Sequence, residues 1–249
     1  MKNSITAIVQ ARMGSTRLPG KVMLPLDGSP VLEHIIGRIR RSEYVDEIVI
    51  ATTFHKTDDI IANLASDLDV NVVRGSDDDV LARITQAAHR SSSELIIRVT
   101  GDNPFVDPHL LDHISAALLN KHDYVSNKID RTWPIGIDAD GFSVSSLTEA
   151  SEMTHDPVDR EHITSFFIRN QSDYDVKNIT IQQVYSEEFD RNVSNIRLTL
   201  DEARDYATYE NICEYFANPM NVGADELIRY INDNPEQIRN SNVNQRTDY

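Results

Sequence analysis

A single cysteine, Cys213, and a single tryptophan, Trp133, stand in a chain of 249 residues. One thiol excludes an intramolecular disulfide framework and a zinc site built on cysteines, and it fits a reducing cytosol. Basic residues are scarce as well: 24 Lys and Arg face 40 Asp and Glu, for a formal net charge of -16. A surface of that sign repels phosphate backbones, which argues against nucleic acid or an anionic membrane as a partner. Long apolar runs are missing too, and nothing approaches the roughly eighteen residues of a membrane span. "SITAIV" is too short for the core of a secretory signal, and polar Gln10 and Arg12 follow it at once. A soluble cytoplasmic protein is expected. Repeats, low-complexity tracts and linkers are equally absent. The expectation is one domain over residues 1–232 and a polar tail, frayed like most termini, over 233–249.

What is present is an alternation of short β-branched runs and helical patterns. "ITAIVQA" (5–11), "EIVIATT" (47–53), "VNVV" (70–73) and "ELIIRVT" (94–100) read as buried strands. Between them, helices are expected from Ser29 with Pro30 at the first turn, from Thr57–Asp59, and from Ser76 with its aspartates. Asp107 and Pro108 open a fourth. Strand–helix alternation with hydrophobic strands predicts an α/β fold, a mostly parallel sheet flanked by helices on both faces. Beyond Asp123 the rhythm loosens. An irregular "KIDRTWPIGIDADGFSV" leads to helices near 145–153 and 157–170, strands near 176–181 and 196–200, and helices from Glu202 and Asp225.

Against this acidic background "ARMGSTRLPGK" (11–21) is anomalous, because the first 26 residues contain no Asp or Glu. It opens a connection of about seventeen residues at the carboxyl end of the first strand, where open α/β sheets place ligands. A Walker A loop is excluded: five residues, not four, separate Gly14 from Gly20–Lys21, and Val22 replaces the required Ser or Thr. The dinucleotide fingerprint fails as well, since Gly14 lacks its partner glycines. What remains is Gly14, Ser15 and Thr16, whose amides can approach a ligand, among Arg12, Arg17 and Lys21. One Arg–phosphate contact at 4 Å contributes about 4 kcal/mol at an effective dielectric near 20. Three such groups overcome the repulsive background locally, unless surface carboxylates pair with them instead.

"IVQARMGSTRLPGKVMLPLDGSPVLEHIIGRI" closely resembles the amino-terminal signature of cytidylyltransferases of the spore coat polysaccharide biosynthesis protein F type. These are relatives of the enzymes that make CMP-activated sialic and ketodeoxyoctonic acids. The likeness continues, in order, through "VVRGSDDDVLARITQAA", "IIRVTGDNPFVDP", "DYVSN", "DREHIT" and "RLTLDEARD". It implies a nucleotide-diphospho-sugar transferase-like (glycosyltransferase-A-like) fold. It also implies Mg²⁺-dependent transfer of CMP from CTP to a small anionic sugar for polysaccharide or glycan synthesis, by a homodimer. In that reading Arg12, Arg17 and Lys21 hold the triphosphate, and Ala11, Gly14 and Ser15 border the substrate.

The resemblance also assigns roles elsewhere, each beside a plainer reading. Asp102, in "GDNP" at the end of the fourth strand, becomes the first Mg²⁺ carboxylate, or else an aspartate closing a turn before Pro104. Asp201 becomes the second, although Glu202 and Ala203 stand where relatives more often carry Thr-Pro; otherwise it caps a helix. Arg74, Gly75 and Ser76 would border the base, with Arg83 a turn later. Asp138 and Asp140 fall in a region lining the acceptor pocket, where Asp140 replaces a more usual glutamate. As a D-x-D pair they also suit a rival reading, a glycosyltransferase holding a nucleotide-sugar donor. A second rival is a non-catalytic nucleotide-binding protein. Arg160, Glu161 and His162 in "DREHIT" would face the acceptor, a partner subunit or solvent. Trp133 reads as packing or interface, and the eight histidines show no metal-ligand spacing.

Overall fold

Residues 5–10 alternate apolar side chains that need cover on both faces, and the structure supplies it by making this segment the centre of a sheet. A computed structural model describes residues 4–185, 189 and 191–237. In chain order the elements are β1 (Ile5–Gln10), β2 (Pro25–Leu26), β3 (Ser29–Pro30), α1 (Val31–Ile39), β4 (Glu47–Thr53) and α2 (Asp59–Asp67). They continue with β5 (Asn71–Gly75), α3 (Val80–Arg90), β6 (Leu95–Thr100), α4 (Pro108–Leu119), β7 (Tyr124–Ser126) and β8 (Asp140–Ser143). Then follow α5 (Val144–Met153), α6 (Pro157–Glu161), α7 (Ile163–Arg169), β9 (Val176–Asn178), α8 (Ile181–Tyr185), α9 (Ala203–Tyr215) and α10 (Ala224–Asp233).

The main sheet runs β5-β4-β1-β6-β8-β7-β9. Pairing is parallel from β5 to β6 and between β7 and β9, while β8 lies antiparallel to both its neighbours. One apolar cluster joins Ala7, Val9 and Ile97 to α1, α4, α9 and α10. The other joins Ile8, Val49, Ile96 and Phe142 to α3, α5 and α7. The sheet is therefore covered on both faces, and the carboxyl ends of β1, β4, β5 and β6 share one open edge.

Several local expectations are corrected by tertiary context. Ser29 and Pro30 do not open a helix: they pair with Pro25 and Leu26 across Asp27 and Gly28, both at positive φ (47° and 82°). Two consecutive left-handed residues form the hairpin turn that Asp-Gly favours, and α1 begins one residue later. Asp58 does not cap its helix but turns inward, accepting from Thr52 Oγ1 (3.0 Å), Thr53 Oγ1 (2.5 Å) and the Met13 amide (2.8 Å). At α3 the capping side chain is Asp79, which accepts from the Ala82 amide at 2.9 Å, rather than Ser76. The helix expected over 157–170 breaks at His162 into two. The strand expected over 196–200 is reduced to one bridge between Arg197 and Ile135.

The stretch read as irregular contains a sheet strand. Asp140 and Gly141 are poor strand formers, yet β8 fits between β6 and β7 for two reasons. Arg98 of β6 neutralises Asp140 at 3.1 Å. A Cβ on Gly141 would lie 2.5 Å from Ile114 of α4, so glycine alone permits that close approach. Trp133 is fully buried, its indole N–H donating to the Ile179 carbonyl at 3.0 Å, and it serves packing. The tail expected from residue 233 is described only to residue 237: Asp233 still closes α10, and Pro235–Gln237 make a short helical turn. The rest of it lies outside the described residues.

Candidate active site

The basic loop leaves β1 with Ala11 buried and its amide bonded to the Ala51 carbonyl (3.2 Å). Asp58 then pins the Met13 amide from below, and the Met13 carbonyl accepts from the Ser15 and Gly20 amides, both at 2.9 Å. Gly20 adopts φ 73°, a left-handed conformation that glycine tolerates without strain, and this turn aims Lys21 back at the sheet edge. Ser15 Oγ closes the loop by accepting from the Leu18 amide at 3.4 Å. A side chain on Gly14 would meet no protein atom within 4 Å, so the loop's outer face there is open. Gly101 brings the GDNP turn against this loop, because a Cβ there would lie 2.8 Å from Val22.

The two segments meet at a charge knot. Lys21 Nζ donates to Asp102 Oδ2 (3.3 Å) and to Asp201 Oδ1 (3.1 Å), so one ammonium spans both carboxylates. Arg17 reaches Asp201 Oδ1 at 3.0 Å, and Arg197 donates to Asp201 Oδ2 at 2.6 Å. Asp102 Oδ1 accepts from Thr100 Oγ1 at 2.6 Å. Burial by itself raises the Asp102 pKa, but Lys21 and the Thr100 bond outweigh it and hold the carboxyl below its ordinary value. Three cations around two carboxylates leave a net positive centre in an acidic protein. Such a centre attracts an anion. Asp201 does not cap α9: the N-cap is Glu202, in a capping box with Asp205, which accepts from the Asp201 and Glu202 amides (2.7 and 2.8 Å), so the Asp201 carboxylate is left to the knot.

Other candidates gather around this centre or away from it. Arg12 pairs with Asp77, which also meets His55 Nε2 at 3.3 Å. Arg83, buried beside them, donates to the Ser76 and Asp77 carbonyls; burial first, then Arg12, lowers its pKa. Gly75 lies against Arg83, since a Cβ there would come 2.8 Å from Arg83 Cγ. Ser76 Oγ accepts from the Asp79 amide, and Arg74 turns to α2, paired with Asp59 at 2.7 Å. Glu161 and His162 are exposed at the break between α6 and α7, while Arg160 holds Asp79 at 2.6 Å.

Asp138 and Asp140 are held by different cations. Asp138 pairs with Arg131 (2.8 Å), and its carbonyl accepts from Asn103 Nδ2 (3.2 Å), next to Asp102. Asp140, only 3% exposed, accepts from Arg98 (3.1 Å), Lys128 (2.7 Å), Tyr124 (3.1 Å) and Ser126 (2.8 Å). Burial opposes ionisation there, but Lys128 and Arg98 keep the Asp140 pKa below the ordinary value. Cys213 is half-buried, and burial, with Asp27 and Glu210, pushes its thiol up to about 12, which disfavours the thiolate.

Among the described residues no group of three or more His, Cys, Asp or Glu side chains could enclose a metal ion. The Asp102–Asp201 pair still fits one kind of cation. Mg²⁺ prefers hard oxygen ligands and takes one or two carboxylates, completing its shell with substrate phosphates and water. Sequence reasoning missed Arg197, Asp58 and Asp205. Arg197 lies in the same "RLTLDEARD" stretch as Asp201, four residues before it, and that proximity was the available signal. Asp58 and Asp205 looked like ordinary acidic residues of helix first turns.

Known proteins share this arrangement of chain. A family model described as cytidylyltransferase matches residues 6–229. The spore coat polysaccharide biosynthesis protein SpsF of Bacillus subtilis is 33% identical, covering 94% of this chain and 96% of its own. A 3-deoxy-manno-octulosonate cytidylyltransferase of Geobacter sulfurreducens is 36% identical over 117 residues, 46% of this chain and 45% of that one. The solved structure of a cytidylyltransferase from Leptospira borgpetersenii superimposes with a TM-score of 0.88 at 30% identity, covering 97% of this chain and 99% of that one. With a family model matched over residues 6–229 and a solved member superimposing over nearly the whole chain, this chain belongs to the cytidylyltransferase family.

Proposed function

We propose that the protein transfers CMP from CTP to an acidic sugar or sugar phosphate with release of pyrophosphate, supplying polysaccharide or glycan assembly. The observation that carries this reading is Lys21, an ammonium from the basic loop held between Asp102 and Asp201. A cation cluster at a strand's carboxyl edge suits a triphosphate, and two facing carboxylates suit the divalent ion that accompanies one. The names of the Bacillus and Geobacter relatives support the acceptor class: one serves polysaccharide biosynthesis, the other acts on an octulosonate.

In this mechanism Arg17 and Lys21 exchange their carboxylate partners for phosphate oxygens, and Arg12 joins them from its pairing with Asp77. Asp102 and Asp201 would hold Mg²⁺, which supplies charge neutralisation at the phosphates. An acceptor oxygen forms its bond to the α-phosphorus as the bond from that phosphorus to the β-phosphate bridge breaks. Pyrophosphate departs with the electron pair, and the acceptor proton passes to water. Positioning and electrostatics do most of the work, as in other phosphoryl transfers. Arg74, Gly75 and Ser76 belong to the base end in this reading, and Asp138, Glu161 and His162 to the acceptor end. Asp140, which the sequence also offered for that end, is sealed by Arg98, Lys128, Tyr124 and Ser126 and braces the sheet instead. A cytoplasmic homodimer completes it. The test is a pyrophosphate-release screen of four nucleotides against sugar acids and sugar phosphates with Mg²⁺. Release with CTP and an acidic sugar is expected; no release with any acceptor, alongside consumption of a nucleotide-sugar, overturns the reading.

A further inference from the structure

Buried polar atoms without a hydrogen-bond partner are rare, and each requires an explanation. Among the described residues they are Arg83 Nε, Thr85 Oγ1, Asn103 Oδ1, Thr199 Oγ1 and the Tyr209 hydroxyl. Asn103 adjoins Asp102, Thr199 lies two residues before Asp201, and Tyr209 sits on the helix that Asp201 introduces. Three of the five thus belong to the segments that carry or follow the two carboxylates of the charge knot. Tyr209, 1% exposed, carries the longest reach of the three.

Its orientation follows from helix geometry. Tyr209 lies four residues after Asp205 on α9, hence on the same face, and helical side chains lean toward their helix N-terminus. The phenol is therefore carried toward the end where Asp205 binds the Asp201 and Glu202 amides. Its ring stacks on Phe105, three residues after Asp102, with centroids 5.4 Å apart at 12°. Phe105 is held in turn by Arg38, whose Cζ is 5.2 Å from the ring centre. Arg38 itself is fixed by donating to the Val106 and Val222 carbonyls, both at 2.7 Å. The Leu200 amide, bonded to the Asp102 carbonyl at 2.9 Å, ties the two segments together. A phenol is protonated at neutral pH, so its hydroxyl is available as a donor.

We propose that Tyr209 is a positioning residue whose hydroxyl donates to the Asp102 carboxylate when Lys21 leaves it for the nucleotide phosphates. Thr100 and Tyr209 then hold Asp102 from behind, and the oxygen that Lys21 released faces the divalent cation. The inference rests on the reading of Asp102 and Asp201 as the metal carboxylates. Outer partners of a metal ligand matter in this way because they fix its orientation, and losing one typically lowers metal affinity about 10- to 100-fold.

The test is Mn²⁺ binding to the full chain at a fixed CTP concentration without acceptor, read by water proton relaxation, for wild type, Tyr209→Phe and Asp102→Asn. Phenylalanine keeps the stack on Phe105 and removes only the oxygen. Tyr209→Phe is expected to weaken Mn²⁺ binding about tenfold or more. Its thermal midpoint without metal should be unchanged or raised, because an unpartnered buried hydroxyl is lost. Wild-type Mn²⁺ affinity in Tyr209→Phe, with binding abolished in Asp102→Asn, overturns the role of Tyr209 alone. Undiminished binding in Asp102→Asn overturns the metal reading on which it rests.

Discussion

Two pairs of aspartates look alike in the sequence and are treated oppositely by the fold. Asp102 and Asp201 come from segments about a hundred residues apart and share one lysine, with Asp102 still 30% exposed at its side chain. Asp138 and Asp140 are two residues apart, yet they point to different cations, and Asp140 is closed off by four protein donors. A carboxylate held by long, partly exposed cations can trade them for a ligand. One sealed among Arg98, Lys128, Tyr124 and Ser126 is part of the sheet's construction, and opening it leaves buried charge unpaired. Proximity in sequence is thus a poor guide to a shared site: Asp140 opens β8, whereas Asp138 precedes it in irregular chain, so the two-residue repeat of a strand does not align their side chains.

That contrast can be broken from either side. The largest effect should come from Asp140→Ala, which strands Arg98 and Lys128; a loss of about 3–5 kcal/mol in urea unfolding is expected. A loss below 1 kcal/mol would mean that Asp140 is no structural keystone. Lys21→Ala and Asp102→Asn should do the reverse, keeping the fold while reducing CTP-dependent turnover about 10²- to 10³-fold, the usual cost of removing one preorganised charge partner. Near-wild-type turnover in either variant would remove that residue from the mechanism.

A smaller effect appears in acid. Asp58, Asp102 and Asp140 are all held below the ordinary carboxyl value of 3.8, so each binds fewer protons folded than unfolded there. Their stabilisation is complete above that pH and is lost as pH falls through their folded pKa values. Asp140→Asn should flatten the acid limb of the stability curve below about pH 4; an unchanged limb would show that other carboxylates carry it.

The parallel core was legible because β1, β4 and β6 are largely buried on both faces and therefore read as continuous apolar runs, while β5 at the sheet's edge kept a short β-branched run. The basic character of residues 12–21 was legible from their lack of acidic neighbours, and the resemblance singled out Asp102 and Asp201 as metal carboxylates; that the loop's lysine lies between the two was not legible. β8 was not legible. Its aspartate and glycine argue against a strand, and only Arg98 on one side and Ile114 on the other make them the right residues there. Asp58 read as a helix-opening residue because nothing local reveals that Thr52, Thr53 and Met13 converge on it.

By itself the sequence determined the layered α/β architecture, the placement of a basic loop at the end of the first strand and the exclusion of a Walker loop. These depend on periodicity, spacing and charge within one stretch of chain. The tertiary structure alone decided that one ammonium joins Asp102 to Asp201, and that Asp140 is sealed while the Tyr209 hydroxyl stays unpaired. Each of these is a meeting of groups distant in the chain. Whether such groups meet depends on how helices and strands pack, which no local pattern encodes.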